Sequence, residues 1–140
     1  MLVLVPIPYS HVDKTRNVWL PFVDKIAQRS GVDAADVIVP IEHGDVHIHL
    51  AWEPVQKRAH AACGTRVRLR AGHRIAELEW ATGSERKHWL PLLEQLEKYH
   101  RETLQCVGIR APFARIGWAR DLKERGYRVT HCILEKDFLP

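Results

Sequence analysis

No segment of this chain is apolar for the roughly 20 residues that a membrane-spanning helix needs, so no membrane span is expected. The opening run Met1-Leu-Val-Leu-Val-Pro-Ile-Pro8 is apolar but short. No basic stretch precedes it and prolines break it, so it reads as a strand rather than a signal peptide. Cysteine is sparse. Cys63, Cys106 and Cys132 are odd in number and lack the paired spacing of metal or redox motifs, which implies reduced, mostly buried thiols in a cytosolic setting. A strong excess of one charge is also lacking. The formal charge of +4 permits contact with a polyanion but does not predict it. Aromatic residues interleaved with basic ones in a known nucleic-acid motif are missing too. What is present is ordinary: 140 residues, 46% apolar and 27% charged, enough for one domain spanning 1–140 with a real core.

Local signals give the order of elements. Residues 2–8 suggest a strand. A helix is expected to begin near Trp19, because Pro21 fits a first turn, where its missing N–H costs nothing. Phe22, Val23, Ile26 and Ala27 form its apolar stripe, and Ser30-Gly31 ends it. Asp33-Ala-Ala-Asp36 can cap a short second helix, although Val37-Ile-Val-Pro-Ile41 suits a strand as well as a helical turn. Three alternating runs follow: Val46, Ile48, Leu50 with His47, His49; Arg66, Arg68, Arg70 with Val67, Leu69; and Glu77, Glu79 with Ala76, Leu78, Trp80. Period-two patterns of this kind predict antiparallel strands with one face wetter than the other. Ala71-Gly-His73 is short enough for a hairpin turn. A long helix is predicted from Trp89 to Leu104, burying Leu92, Leu93, Leu96, Tyr99 and Leu104. Cys106–Ile109 reads as a short strand. Trp19-Leu-Pro-Phe and Trp89-Leu-Pro-Leu echo each other as one helix-start solution used twice.

The chain ends on its most informative stretch. Ala114 to Arg125 reads as a helix, and Gly126 suits the left-handed position after it. Arg120, Lys123 and Arg125 set positive charge near the negative end of the helix dipole. Tyr127 follows, then a strand-like run from Arg128 to Phe138.

Several polar groups have the residue types and spacing for chemistry. His43, Asp45, His47 and His49 fall on one face if the strand runs back that far, and two imidazoles at i, i+2 can share a metal such as zinc. Gly44 ending the strand would reduce this group to a polar strand face, and no metal site is assigned. His47 can instead act as a base, since imidazole titrates near neutral pH. Arg66, Arg68 and Arg70 form a cationic ladder able to meet the phosphates of a nucleic acid or cofactor, or acidic groups on a protein. Glu77 and Glu79 are plausible cross-strand partners for it, which favours a solvated strand face. Trp52, Trp80, Trp89 and Trp118 read as core before they read as a stacking surface.

The order strand, two helices, three antiparallel strands, long helix, short strand, helix, strand resembles the GNAT superfamily of acyl-CoA-dependent N-acyltransferases. Ala119-Arg-Asp-Leu-Lys-Glu-Arg-Gly-Tyr127 looks like that family's alanine–leucine–glycine–aromatic helix end. The closing Gly-Trp helix, Gly-Tyr and Leu-Glu-Lys-Asp are also similar to small GNAT-like proteins of bacteriophage and prophage structural-gene regions. The resemblance implies an α+β fold of three-layer type, a mixed, mostly antiparallel sheet flanked by helices.

In the family a glycine-rich loop between the fourth strand and the long helix holds the cofactor pyrophosphate on backbone N–H groups. Aligning on Leu92-Leu93 puts Ser84 at the leading Arg/Gln position and Lys87 and Trp89 at the last two glycines. Gly83, Ser84, Arg86 and Lys87 are the candidate cofactor contacts. Trp89 would fill the space the pyrophosphate needs, and the two cations would act as mobile point charges rather than as a cradle. The family's tyrosine acid falls at Leu122, or at Lys123 if the helix is one residue shorter, so it is missing. Glu77, Glu79 or His47 remain as general-base candidates. The resemblance therefore suggests a GNAT-fold protein with a degraded acyl-CoA site and no cofactor. It would be a phage- or prophage-encoded virion-associated or accessory protein, with protein partners through the virion or self-assembly, located in the host cytoplasm or the virion. The alternative is an active N-acyltransferase using acetyl-CoA or another acyl-CoA through an atypical loop.

Overall fold

A computed structural model describes residues 1–112, 116–131 and 134–138, with the side chains of residues 116 and 117 excepted. One sheet runs in chain order through β1 (Val3–Pro6), β2 (His47–Glu53), β3 (Arg58–Arg70), β4 (His73–Gly83) and β5 (Gly108–Arg110). The first four strands pair antiparallel, and β5 joins β4 in parallel. This is the expected mixed, mostly antiparallel sheet. Ala71 at φ 50° and Gly72 at φ 80° make the β3–β4 turn. Two successive left-handed residues match the twist of a tight hairpin.

Helices cover both faces. α1 (Arg16–Ser30) and α2 (Ala34–Glu42) pack on one face through Trp19, Val23 and Ile41, all fully buried against Ile48, Leu50, Ala62 and Trp80. The opposite face carries α3 (Arg86–Trp89), a 3-10 turn at Leu90–Leu92, α4 (Leu93–Glu102) and α5 (Ile116–Glu124). There Leu90, Leu93, Leu96 and Leu122 bury Leu78. Leu78 and Trp80, two positions apart, thus enter cores on opposite faces. The cause is a β-bulge: Gly64 pairs with Trp80 while its neighbour Thr65 pairs with Leu78. The unpaired Glu79 reverses the in–out alternation of β4.

Several local expectations change. α1 starts at Arg16 rather than near Trp19, leaving Pro21 inside the helix on its exposed side. Trp19 sets this start, because its buried indole donates to the Val12 carbonyl at 2.9 Å and ties the preceding turn down. Gly31 ends α1 at φ 66°, as its sequence indicates. Val37–Ile41 is helical, and Asp33 caps α2 by accepting from the Ala35 N–H. Pro91 lies in the 3-10 turn, so the long helix starts earlier, at Arg86, and changes winding before α4. The Trp-Leu-Pro echo therefore serves two different geometries.

The predicted strand over 128–138 is the main departure. Residues 128–131 and 134–138 join no ladder and are exposed, with Leu134 and Phe138 about nine-tenths accessible at 91% and 89%. Extended propensity makes a strand only where a neighbour supplies the hydrogen bonds. Cys132 and Ile133 within that run, and Ala114 and Arg115 at the expected start of α5, lie outside the described residues. Cys106 is buried and Cys63 half-buried, both as free thiols. Burial pushes the Cys63 thiol up to about 12.

Candidate functional site

The head of α3 follows directly from the end of β4, and its geometry comes from short-range packing. Gly83 approaches β3 so closely that a Cβ there would lie 2.4 Å from the Ala61 Cβ and 2.6 Å from its Cα. Its missing side chain is used for strand packing. The Gly83 carbonyl accepts from Lys25 at 2.8 Å, and the Ser84 carbonyl accepts from the Trp89 indole at 3.1 Å. Trp89 thereby folds back over the turn, and its ring meets Trp118 of α5 with centroids 5.2 Å apart. Arg86 stacks over Trp118 at 5.3 Å and pairs with Asp121 at 2.9 Å. Lys87 pairs with Glu85 at 3.5 Å, as does His88.

Candidate cofactor contacts Gly83, Ser84, Arg86 and Lys87 therefore share one turn, but each cation has a carboxylate partner. Glu85 also sets a negative charge at the helix start, where the partial charge would otherwise favour an anion. Trp118 and Asp121 were not legible as part of this group, because only the docking of α5 brings them there. The tyrosine-acid position is core: Leu122 is 4% exposed and packs with Leu78 and Leu93. Tyr127 donates its hydroxyl to Glu97 of α4 at 2.7 Å, and burial followed by that carboxylate raises its pKa.

The base candidates are divided between the faces. Glu79 accepts from Arg66 at 2.9 Å, and Glu77 holds Arg68 at 3.0 Å and Arg110 at 3.4 Å. These pairs account for much of the arginine ladder. A cleft of about 360 Å³ opens on the α1–α2 face between Arg29, Asp36, Val37, Arg66, Glu79 and Trp80, within the usual size range of ligand pockets, roughly 300–1,000 Å³. His47 lies on the other face, half-buried, with its pKa lowered by burial.

On that face His49 and Thr65 meet His100 of α4. Their relative exposures are 1%, 0% and 1%. The His100 Nδ1 lies 2.8 Å from the Leu96 carbonyl, which can only accept, so Nδ1 carries the proton. The His100 Nε2 then accepts from Thr65 Oγ1 at 2.9 Å, and Thr65 Oγ1 accepts from His49 Nε2 at 3.0 Å. This direction leaves the buried His49 Nδ1 lone pair without a partner among the described residues. Burial, then the neighbouring His100 and His47, lower the His49 pKa well below its ordinary value. Burial lowers that of His100 as well, against the Leu96 hydrogen bond. His100 was legible in principle, since it continues the Leu93–Leu96 stripe at helical spacing.

The metal candidates are not assembled. β2 begins at His47, and Gly44 and Asp45 turn back to α2 through bonds to Ile41 and Pro40. Among the described residues, no group of three or more His, Cys, Asp or Glu could hold a metal ion. No described helix is long and apolar enough to cross a membrane.

Strand order, the parallel β5 and the helix–glycine–aromatic corner define a GNAT fold. Solved structures agree. The chain superposes on a ribosomal-protein-alanine N-acetyltransferase from Brucella melitensis with a TM-score of 0.69 at 10% identity, covering 100% of each chain. An acetyltransferase from Trypanosoma brucei gives 0.68 at 15% identity over 99% of this chain and 100% of that one. A GNAT family acetyltransferase from Staphylococcus aureus gives 0.64 at 13% identity over 98% of each. No family model and no curated protein sequence matches the chain. At these identities the likeness establishes the fold alone.

Proposed function

We propose that this chain is a GNAT-fold binding protein whose acyl-CoA site has been filled by its own side chains. In this reading it is a phage- or prophage-encoded accessory or virion-associated protein, one domain throughout, with protein partners. One observation carries the loss of cofactor binding. The helix head that would receive the pyrophosphate is covered by the Trp89–Trp118 contact and the Arg86–Asp121 pair. Opening it would cost the ring contact and separate two half-exposed charges, and Glu85 would still oppose the incoming phosphates. The missing acid at Leu122 and the ion-paired state of Glu77 and Glu79 support the same reading. The protein-partner part rests on sequence likeness and on exposed Val129, Leu134 and Phe138 near the chain end.

A second reading, an acyltransferase with an atypical loop, has one observation in its favour. The α1–α2 cleft and the apolar groove under α4 share Ala81 and Trp118, so a swing of Trp118 would join an acyl donor to an acceptor beside Glu79. Calorimetric titration with acetyl-CoA separates the two. Our reading expects no heat with the native protein, and a micromolar dissociation constant would overturn it in favour of the enzyme.

A further inference from the structure

We propose that the β3–β4 hairpin is an arm that binds double-stranded DNA through its phosphates. The arm outruns its neighbour in the sheet. β3 pairs with β2 only as far as Thr65, opposite His47, but its pairing with β4 continues to Arg70, opposite His73. Residues 68–74 are all exposed, so the tip of a two-stranded ribbon projects into solvent. Positive charge is concentrated there. β3, β4 and their turn hold five arginines and two glutamates, and so carry three of the chain's four net positive charges. No Asp or Glu occurs between Glu53 and Glu77. Glu77 is shared by Arg68 and Arg110, and Glu79 accepts from Arg66, so these three arginines have two carboxylates between them. Arg70 has no side-chain partner among the described residues. Arg74 donates to the Leu104 carbonyl at 2.7 Å, a neutral partner that leaves its charge uncompensated.

The make-up of the arm selects among polyanions. Arg70 and Arg74 can meet phosphate oxygens, and a guanidinium takes two of them in parallel. Single-stranded nucleic acid is held largely by bases stacked on aromatic rings, and no Phe, Tyr or Trp lies between Trp52 and Trp80. The major groove of B-DNA, about 12 Å wide, admits a two-stranded ribbon, whereas that of duplex RNA is deep and narrow. An acidic protein would meet the same charges. Binding to a protein is carried mainly by buried anchors, however, and residues 66–77 offer one large exposed apolar side chain, Leu69. The inference goes beyond the protein-partner reading and holds whether or not α3 admits a cofactor.

The test is fluorescence anisotropy of a labelled DNA duplex of about 20 base pairs, titrated with the whole chain. Two phosphate contacts give a slope of about −1.8 in log affinity against log salt, so binding should weaken about 12-fold between 50 and 200 mM salt. Arg70→Gln should bring the slope to about −0.9, and adding Arg74→Gln should abolish saturable binding. Lys57→Gln, in the β2–β3 turn at the far end of β3, should leave binding unchanged. Urea midpoints of the variants, expected to match that of the native chain, separate lost contacts from lost folding. If Arg74→Gln does not fold, Arg70→Gln decides alone. No saturable binding, an equal loss from Lys57→Gln, or tighter binding of single-stranded DNA, duplex RNA or polyglutamate would overturn the proposal.

Discussion

His49 shows how one residue can read as surface and fold as core. Its alternation with Ile48 and Leu50 suggests a wet strand face, yet α4 covers that face and leaves the ring 1% exposed. Its neutral form belongs to the folded state, and this has a pH consequence. The folded pKa values of His49, His100 and the neighbouring His47 are all lowered, whereas the unfolded value is near 6.5. The unfolded chain therefore binds more protons below about pH 6.5, so stability is full above that pH and falls as the pH drops below it. Urea unfolding at pH 7.5 and 5.5 should show the loss, and His49→Leu should reduce it. Equal stability of the native protein at both values would contradict the buried neutral pair. Thr65→Val should cost about 1–3 kcal/mol for each ring nitrogen it leaves unmatched, read as a lower urea midpoint at unchanged slope.

At the scale of elements, glycines and leucines in the family pattern do structural work. Gly83 looked like a remnant of a phosphate loop and is a close-packing position against Ala61. Gly83→Ala should destabilise the fold by roughly 1–3 kcal/mol through overpacking, lowering the melting temperature. Leu122, at the acid position, should cost about 2–5 kcal/mol when cut to alanine. A change much smaller than that, measured by urea unfolding, would argue that α5 does not pack as described. What the sequence made legible at this scale was local: the Asp33 cap, the Gly31 and Gly126 helix ends and the tight hairpin each depend on adjacent residues. What it hid was long-range. The bulge at Glu79 that sends Leu78 and Trp80 to opposite faces depends on β3. The Trp89–Trp118 contact depends on the docking of α5, and the described residues of the run after Tyr127 have no neighbouring strand to pair with.

For the molecule as a whole, the fold was indicated by the resemblance of the element order to the GNAT pattern, and the mixed, mostly antiparallel sheet agrees with it, whereas the described residues of the final predicted strand join no ladder. Fold does not fix chemistry. The chain keeps the GNAT frame while charged and aromatic side chains at the head of α3 pair with one another. The proposed protein partners belong to this scale too, and under that proposal deleting residues 134–140 should leave melting unchanged while weakening any self-association seen by analytical ultracentrifugation. The most direct measurement of the central claim is the melting temperature with and without acetyl-CoA at about a thousandfold excess over a micromolar dissociation constant. Such a ligand would add about 4 kcal/mol, a rise of roughly 14 °C for a chain this size. The closed helix head predicts no rise, and a rise of that size would contradict it.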